Sequence, residues 1–385
     1  MAAESPKIER VLFIAPQMEP RGTSEYTVNL AKEFKRRGVE VAVFCVPGLM
    51  LDALRTEQIP VTIFDHLESK WFRFTQAKSL LAAAERFLPQ VVHGQTVRVS
   101  RPLRSLARYA SLAADEQPSA PIVLTVHWPP RARTAFRSLA DRTLSGIIAT
   151  TQDVREALVN AFGVDKAKIA VVPNGIDVDA SSASSRKMRP IFSGFRPVVG
   201  SVGPVETARG HELFVQAAAR LVRAGKLLQF VVAGEGDELP QLCRLASRLG
   251  LDKHLTFVRD FASYDEILSA LDIVVQSSQV DVSGFSILEA MAHGRPVIAF
   301  NTGTACEMLE TGKTGILVRR GDVDGLAQAI EDLAENTERA REIGQAARTK
   351  VAENFNIKDV ADMTLAFYAR LCAAGGPDGL SPKAL

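Results

Sequence analysis

The sequence predicts an α/β protein with two domains, each built on a parallel sheet that helices cover on both faces. A chain of 385 residues is too long for one ordinary hydrophobic core, so two domains are the natural expectation. Short β-type runs alternate with helix-length segments along the chain, as parallel sheets with crossover helices require. These runs are apolar with little alternation, which is typical of strands covered on both sides.

The runs locate the expected strands. In the first half they lie at residues 11–15, 39–46, 61–64, 91–93, 122–126, 147–149 and 169–172. In the second half they lie at residues 198–202, 229–233, 255–258, 273–275, 296–299 and 315–318. After residue 318 the pattern is purely helical, and it predicts helices at roughly 322–335, 337–353 and 357–373.

Turn chemistry marks the break between the two series of strands. The segment PNGID at 173–177 is followed by a stretch rich in Ser and Ala, so we expect the boundary near 178–193. On this basis residues 1–185 form an N-terminal domain, residues 186–356 form a C-terminal domain, and residues 357–385 form a last helix and tail.

Composition is that of a globular protein, with 46% hydrophobic and 23% charged residues. The N-terminus lacks the basic start and apolar run of a signal peptide, and no segment approaches the roughly 20 apolar residues that span a bilayer. We therefore expect a cytoplasmic protein. The four cysteines are scattered without metal-ligand spacing, and we expect them to be reduced.

Charge is distributed unevenly along the chain. Residues 1–190 carry 26 Lys and Arg against 19 Asp and Glu, whereas the remainder carries 20 against 25. The first half therefore suits an anionic acceptor or the anionic inner face of a membrane, and we expect no nucleic-acid partner. Residues 70–74 and the arginines near residue 100 mix cations with apolar residues, as membrane-surface segments do. A solvated helix face over an ordinary core is the alternative. Those arginines are Arg98, Arg101, Arg104 and Arg108.

A glycine lies in the loop after the first predicted strand. Gly22 precedes a helix expected at residues 26–37, and it permits an anion to approach the free N–H groups of the first turn. A plain strand-to-helix turn explains Gly22 equally well. The loop has no G-x-G-x-x-G motif, which counts against a nicotinamide-dependent dehydrogenase.

The most informative segment is QVDVSGFSILEAMAHGRP at 279–296. A helix is predicted to begin near Gly284 and to close at Gly294. Its first N–H groups suit a diphosphate. Glu289 would lie about 7 Å further along the axis and could reach a ribose diol, unless a neighbouring backbone or arginine satisfies its carboxylate.

This segment resembles the family 4 retaining glycosyltransferases of the GT-B fold, whose signature is two acidic residues eight apart followed by Ala-Met-Ala, Gly and Pro-Val. The acidic pair here is Asp281 and Glu289, with Asp where the family more often has Glu. The resemblance covers nearly the whole chain. Other matching segments are VLFI at 11–14 with Gly22, LA at 30–31, RGVEV at 37–41, VVH at 91–93, TVH at 125–127, VVPNGID at 171–177, VAGEG at 232–236 and GKTGILV at 312–318.

The resemblance implies a fold and a reaction. The fold would have two Rossmann-like domains facing each other across a cleft, with the C-terminal helix crossing back to the N-terminal domain. The reaction would be hexosyl transfer with retention, from a nucleotide-sugar to a carbohydrate or lipid-linked acceptor, without a further cofactor. Departure of the diphosphate would also help to deprotonate the acceptor.

The resemblance also implies roles for individual residues. Glu289 would hold the ribose hydroxyls and Asp281 those of the donor sugar, while His127 would contact the sugar or the leaving phosphate. His93, at the other matching strand end, is expected to be scaffold. The implied catalytic residues are His127, Asp281 and Arg209, and the implied donor-binding residues are Gly22, Arg209, Glu235, Arg259, Gly284, Phe285, Ser286, Ile287 and Glu289.

One departure from the family pattern concerns the phosphates. Arg209 stands where the family commonly has a Lys, but Pro204 stands where it has an Arg. Losing one preorganised phosphate cation costs ~3–4 kcal/mol of transition-state stabilisation. Arg259 or a basic residue of the first domain would then have to supply the charge.

The Asp-x-Asp triplets at 177–179 and 322–324 follow no strand that should face the diphosphate, so we expect no metal ion.

Two other classes of function compete with the transferase. A catalytically impaired homologue could act as a binding or scaffold subunit, and Pro204 favours that alternative. Another GT-B enzyme, a nucleotide-sugar 2-epimerase or a phosphorylase, is the second alternative. The acidic pair and the loops of the first domain favour the transferase over the epimerase. The chain shows no evident pyridoxal-phosphate lysine motif, which a phosphorylase would need.

Overall fold

The computed structural model describes residues 6–19, 22–65, 67, 74–110, 120–130, 132–179, 197–259, 264–280 and 283–374. The chain divides into two compact units, one formed by Met1–Gly175 with Ile357–Leu385 and the other by Ile176–Asn356. The segment 178–193, where the sequence suggested a boundary, lies mostly outside the described residues.

The first unit contains a seven-stranded sheet. Its strands are β1 (Arg10–Gln17), β2 (Glu40–Val46), β3 (Val61–Ile63), β4 (Val91–Gly94), β5 (Ile122–Val126), β6 (Gly146–Ala149) and β7 (Ile169–Val171). They pair in parallel in the order β3-β2-β1-β4-β5-β6-β7. At the centre of the sheet Phe13 lies opposite Val43 on one side and His93 on the other.

Helices alternate with these strands along the chain. They are α1 (Gly22–Arg36), α2 (Leu51–Thr56), α3 (Phe74–Phe87), α4 (Ser100–Ala110), α5 (Arg133–Arg142) and α6 (Gln152–Asn160). Helix α1 begins at Gly22, four residues before the start predicted at residue 26. Two hydroxyls support the early start, because Ser24 donates to the carbonyl of Gln17 and Thr27 to that of Thr23.

The second unit contains a six-stranded parallel sheet. Its strands are β8 (Val198–Val202), β9 (Gln229–Ala233), β10 (Leu255–Val258), β11 (Ile273–Gln276), β12 (Val297–Phe300) and β13 (Ile316–Val318). Their order is β10-β9-β8-β11-β12-β13. The thirteen strands of the described residues lie within a residue or two of their predicted positions, so the predicted α/β class with parallel sheets is confirmed.

The helices of this unit are α7 (His211–Arg223), α8 (Leu239–Arg248), α9 (Tyr264–Ala270), α10 (Phe285–Ala292), α11 (Gly303–Met308), α12 (Val323–Glu335) and α13 (Thr337–Asn354). A last helix, α14 (Ile357–Ala373), belongs to the first unit. Across the described ranges, every helix is too short or too polar to cross a bilayer.

Neighbouring residues of the second sheet enter different hydrophobic clusters. Val199 and Phe230 lie in one cluster, whereas Val198 and Val231 lie in the other. Because side chains alternate between the two faces of a strand, the sheet is covered on both faces. This explains why the strands read as apolar runs.

Helix α14 packs on the sheet of the first unit. A Cβ atom added at Gly146 on β6 would lie 2.6 Å from the Phe367 ring and 2.7 Å from Leu371. The Tyr368 hydroxyl hydrogen-bonds to Nδ1 of His93 on β4. Arg37 forms an ion pair with Asp362 and donates to the carbonyl of Lys358. The C-terminal helix thus returns to the N-terminal unit, as the resemblance implied.

We expect Phe367→Ala to lower the free energy of unfolding of the first unit by ~3–5 kcal/mol, because it empties a filled site against Gly146. Urea denaturation followed by circular dichroism measures this change. Met363→Ala is the matched control on the same helix. Its side chain is 38% exposed, so we expect a change within roughly 0.5–1 kcal/mol. Equal losses in the two variants would contradict the described packing of α14.

Candidate functional site

The second sheet reverses its direction of growth between β8 and β11. The chain proceeds from β8 to β9 on one side, whereas β11 and the later strands extend the sheet on the other side. Loops that leave these two neighbouring strands diverge, and ligands of doubly wound sheets bind in the crevice between them. The candidate site is therefore formed by the β8 loop (residues 203–210) and the β11 loop (residues 277–280 and 283–284).

The β8 loop is attached to the loop that follows β9, here called the β9 loop (residues 234–238). Val205 N–H donates to the carbonyl of Glu235 at 2.8 Å. Gly234 has φ +150°, and a Cβ atom there would lie 2.0 Å from the carbonyl oxygen of Gly203. A Cβ atom on Gly236 would lie 2.2 Å from the Val205 oxygen. The backbones are so close that these positions require glycine.

The β8 loop is also attached to the β11 loop. Ser277 donates its buried hydroxyl to the carbonyl of Gly210 at 2.8 Å, and Gln279 N–H donates to that of Ala208 at 3.1 Å. Gly210 has φ +63°, and a Cβ atom there would lie 2.2 Å from the Ser277 carbonyl oxygen. The three loops thus form one continuous backbone surface at the carboxyl end of the sheet.

A buried histidine hydrogen-bonds to the backbone of the β8 loop. His211, the first residue of α7, is 5% exposed. Burial lowers its pKa to about 4, against the opposing effect of its hydrogen bond to Pro204, so the ring is neutral near pH 7. A neutral ring donates through one nitrogen. Nε2 faces the Pro204 carbonyl at 3.2 Å and donates, so Nδ1 accepts from the Ser201 hydroxyl at 3.0 Å.

The tip of α10 lies at the end of the β11 loop. Gly284 caps the helix with φ +72°, and a Cβ atom there would lie 2.5 Å from the Met308 side chain and 2.8 Å from Thr304. The first N–H groups of a helix have no carbonyl four residues before them to bond, and the helix dipole makes this end attractive to anions. The predicted helix start at Gly284 is therefore confirmed, and glycine is required there.

Residues 285–287, in the first turn of α10, differ in side-chain exposure and in the hydrogen bonding of their N–H groups. The side chains of Phe285 and Ile287 are 5% and 4% exposed, so a ligand would meet backbone at these positions. The Ile287 N–H already donates to the Gly284 carbonyl at 3.0 Å. The side chain of Ser286 is half-buried.

Glu289 lies on α10 one turn beyond the tip and is half-buried. Its carbonyl accepts from the backbone N–H of His293 at 3.1 Å and from Nδ1 of that ring at 2.9 Å. Nε2 of His293 lies 3.1 Å from a carboxylate oxygen of Asp265 on α9. These contacts fix the C-terminal end of the helix that carries Glu289.

The predicted cations and acids of the site lie at different distances from the switch point. Arg209 is in the β8 loop itself, just before Gly210. Glu235 is exposed in the β9 loop, one strand away. Arg259 is exposed and follows β10, the outermost strand on that side of the sheet. Asp281 lies outside the described residues.

Two predicted residues, His127 and Gly22, lie in the first unit. His127 follows β5 and is 3% exposed. Nδ1 lies 2.9 Å from Oδ1 of Asn174, and Nε2 lies 3.1 Å from the Gln95 carbonyl. Burial lowers the pKa of His127 to about 4. Both ring nitrogens therefore face oxygen atoms of the same unit, and the neutral ring donates to one of them. Gly22 is the first residue of α1 and is half-buried.

His93 is fully buried, and Nε2 of its ring lies 2.7 Å from the Thr125 hydroxyl. Together with its bond to Tyr368, this surrounding agrees with its expected place in the scaffold.

Sequence reasoning missed several residues of the site. Ser277 ties two loops together, and His211 supports the Pro204 carbonyl. The hydroxyl of Ser278, 5% exposed, has no hydrogen-bond partner among the described residues. The position of the serine pair directly after a predicted strand was the available signal.

The second Asp-x-Asp triplet has structural partners. Asp322 caps α12 by accepting from the Gly325 N–H at 2.8 Å, and Asp324 pairs with Arg220 at 2.5 Å. Among the described residues, no three His, Cys, Asp or Glu side chains cluster as metal ligands would.

Known proteins resemble the chain in both halves. Residues 20–180 match the family model described as Glycosyltransferase Family 4, and residues 188–350 match the one described as Glycosyl transferases group 1.

Relatives cover the chain to different extents. The chain is 28% identical over 247 residues to 2-deoxystreptamine glucosyltransferase of Streptomyces kanamyceticus, a match that spans 62% of this chain and 64% of that protein. It is 25% identical over 395 residues to D-inositol 3-phosphate glycosyltransferase of Gordonia bronchialis, spanning 93% and 86% of the two chains. The first match covers slightly less than two thirds of the relative, and the second covers most of it.

Solved structures share the fold over nearly the whole chain. The Anabaena protein HepE, in complex with UDP and glucose, superposes with a TM-score of 0.81 at 22% identity, over 94% of this chain and 100% of that one. A glycosyltransferase from Rickettsia africae superposes with a TM-score of 0.80 at 20% identity, over 95% and 99%. Likeness at these identities shows the GT-B fold. Because both halves match the corresponding family models in order, the chain belongs to the family 4 glycosyltransferases.

Proposed function

We propose that the protein is a retaining glycosyltransferase that moves a hexosyl group from a nucleoside diphosphate donor to a hydroxyl of a carbohydrate or lipid-linked acceptor. The observation that carries this proposal is the tip of α10 at the switch point of the second sheet, with Glu289 one turn behind it. The two names that describe the matching families, both of them glycosyltransferases, support the same class of reaction.

The diphosphate binds at the start of α10. Backbone N–H groups near Gly284 and Ser286 face an anion there, and the helix dipole adds a partial positive charge. Arg209 supplies a full charge from the β8 loop, which hydrogen bonds hold against the β11 loop. Such preorganised donors stabilise the charge that develops on the departing phosphate.

Glu289 binds the ribose. A half-buried carboxylate accepts hydrogen bonds from two adjacent hydroxyls, and bonds to a charged group are worth about 1.5–3 kcal/mol each. The contacts of His293 with the Glu289 carbonyl and with Asp265 hold the helix in place during binding.

The transfer exchanges one C–O bond for another. The bond between the anomeric carbon and the β-phosphate oxygen breaks, and the acceptor oxygen forms a new bond on the same face of the sugar. The acceptor proton passes to the leaving phosphate, so the step needs no external base. No residue of the described site is required to change its protonation state, and the proposal assigns no metal ion to the reaction.

The acceptor is a polyol or glycan, free or attached to a lipid. The names of relatives support this class, because they include 2-deoxystreptamine and inositol phosphate acceptors. Arg101 and Arg104 are exposed on α4 of the first unit, where they suit an anionic acceptor or a membrane surface.

A binding or scaffold subunit without turnover is the second candidate. Pro204 favours it, since proline offers the phosphates neither a cation nor an N–H donor, and its carbonyl is already bound by His211.

The donor test uses UDP-, GDP- and ADP-sugars with the full chain. We expect one of them to raise the melting temperature, because a ligand of the folded state stabilises it. Glu289→Ala should weaken binding of that donor by at least about 100-fold, because it removes two hydrogen bonds to a charged group. Glu338→Gln, an exposed change on α13, is the control and should bind as the wild type does. Unchanged binding in Glu289→Ala would refute its ribose role.

A second prediction concerns the contact between the β8 and β11 loops. Gly210→Ala should lower turnover by ~10–100-fold, since its Cβ would lie 2.2 Å from the Ser277 oxygen and displace a binding loop. Gly225→Ala is the matched control: its φ is +78°, but no atom lies within 4 Å of the added Cβ. Both variants carry the left-handed backbone cost of ~1–2 kcal/mol. If both lose turnover equally, the loop contact does not matter.

A third prediction concerns stereochemistry. Proton NMR of the product formed with the true donor should show the anomeric configuration of the donor. The reason is that the old bond breaks and the new bond forms on the same face of the sugar. An inverted product would contradict retention. Nucleotide binding with no transfer to any carbohydrate or lipid-linked acceptor would instead favour the scaffold subunit.

A further inference from the structure

One residue of the β11 loop, Gln279, is held from two sides. Its N–H donates to the Ala208 carbonyl in the β8 loop at 3.1 Å. Its carbonyl accepts a hydrogen bond from Nη1 of Arg320 at 3.3 Å. Arg320 follows β13, so Gln279 connects loops that leave three different strands at the same edge of the sheet.

The turn that carries Arg320 is itself fixed. The Arg320 N–H donates to Oδ1 of Asn301 at 2.9 Å, and Asn301 N–H donates to the carbonyl of Val318 at 2.9 Å. Gly321 turns the chain with φ +78°. Asp322 then caps α12. The guanidinium is therefore presented from a well-supported backbone, which makes its contact with Gln279 a constraint on the loop.

In the part of the chain that the structure describes, no carboxylate lies within ion-pair distance of the Arg320 guanidinium. A hydrogen bond from a cation to a carbonyl is stronger than one between neutral groups. One of the five N–H donors of this arginine is thus used to hold the β11 loop.

We propose that Arg320 is a positioning residue for donor binding. It acts through Gln279, and holds residues 277–280 against the β8 loop, so that this part of the site is in place for the diphosphate of a nucleoside diphosphate sugar. The inference rests on the proposed function, because it assigns Arg320 to that donor site. Arg259, the substitute cation considered from the sequence, follows the outermost strand instead.

The chain offers a matched control for this residue. Arg319 is adjacent, carries the same charge and is also exposed, but the hydrogen bond to Gln279 comes from Arg320. We therefore compare Arg320→Ala, Arg320→Lys and Arg319→Ala in the full chain. Lysine keeps a cationic donor and should restore most of the effect.

The first measurement needs no ligand. Hydrogen–deuterium exchange of peptides that cover 277–284 should be about tenfold faster in Arg320→Ala, as expected on losing a hydrogen bond to a charged group. Arg319→Ala should exchange as the wild type does, and Arg320→Lys should lie close to it. Unchanged exchange in Arg320→Ala would overturn the proposal.

The second measurement is kinetic. Arg320→Ala should raise the donor KM about tenfold, while kcat and the acceptor KM change less than about twofold. An equal effect of Arg319→Ala would overturn the proposal, because it would reflect charge alone. Weaker donor binding with unchanged exchange would also overturn it, since the guanidinium would then contact the donor itself. If the wild-type chain binds no UDP, GDP or ADP, the proposed function fails, and the exchange rates still decide whether Arg320 holds the loop.

Discussion

The site of the second unit depends on close backbone contacts between the three loops that follow β8, β9 and β11. Gly210 lies against the carbonyl of Ser277, and Gly234 lies against that of Gly203. The space between these backbones is too small for a Cβ atom at either glycine. Hydrogen bonds then fix the loops in this close arrangement. Arg209 and the tip of α10 lie at the ends of these loops, so their positions depend on backbone contacts and on the Ser277 hydroxyl.

In the proposed function, backbone N–H groups make a large part of the interaction with the diphosphate. Pro204 contributes no cation, and His211 is neutral because burial lowers its pKa to about 4. In the proposed function, the positive end of α10 and Arg209 therefore carry the interaction with the diphosphate. Glycine is required at the helix cap, Gly284, since the side chains of Met308 and Thr304 fill the space where its Cβ would be. Arg320 adds a cation to the same edge of the sheet, but its guanidinium donates to the Gln279 carbonyl.

The first unit places its polar groups differently. His93 on β4 and His127 after β5 lie in a buried hydrogen-bond network. Burial lowers the pKa of His93 to about 3 and that of His127 to about 4. Tyr368 of α14 completes the network by bonding to His93. The C-terminal helix is thus part of the core of this unit, and its aromatic residues fill the sheet face beside Gly146.

Sequence alone determined the strands, the helix tip at Gly284 and the family, because buried parallel strands and helix caps leave local patterns that need no knowledge of distant residues. It misjudged the start of α1, where bonds from Ser24 and Thr27 extend the helix toward Gly22. Only the tertiary structure decided that Ser277 holds Gly210 and that Arg320 holds Gln279. Those partners are 67 and 41 residues apart, and folding of the sheet alone brings them together.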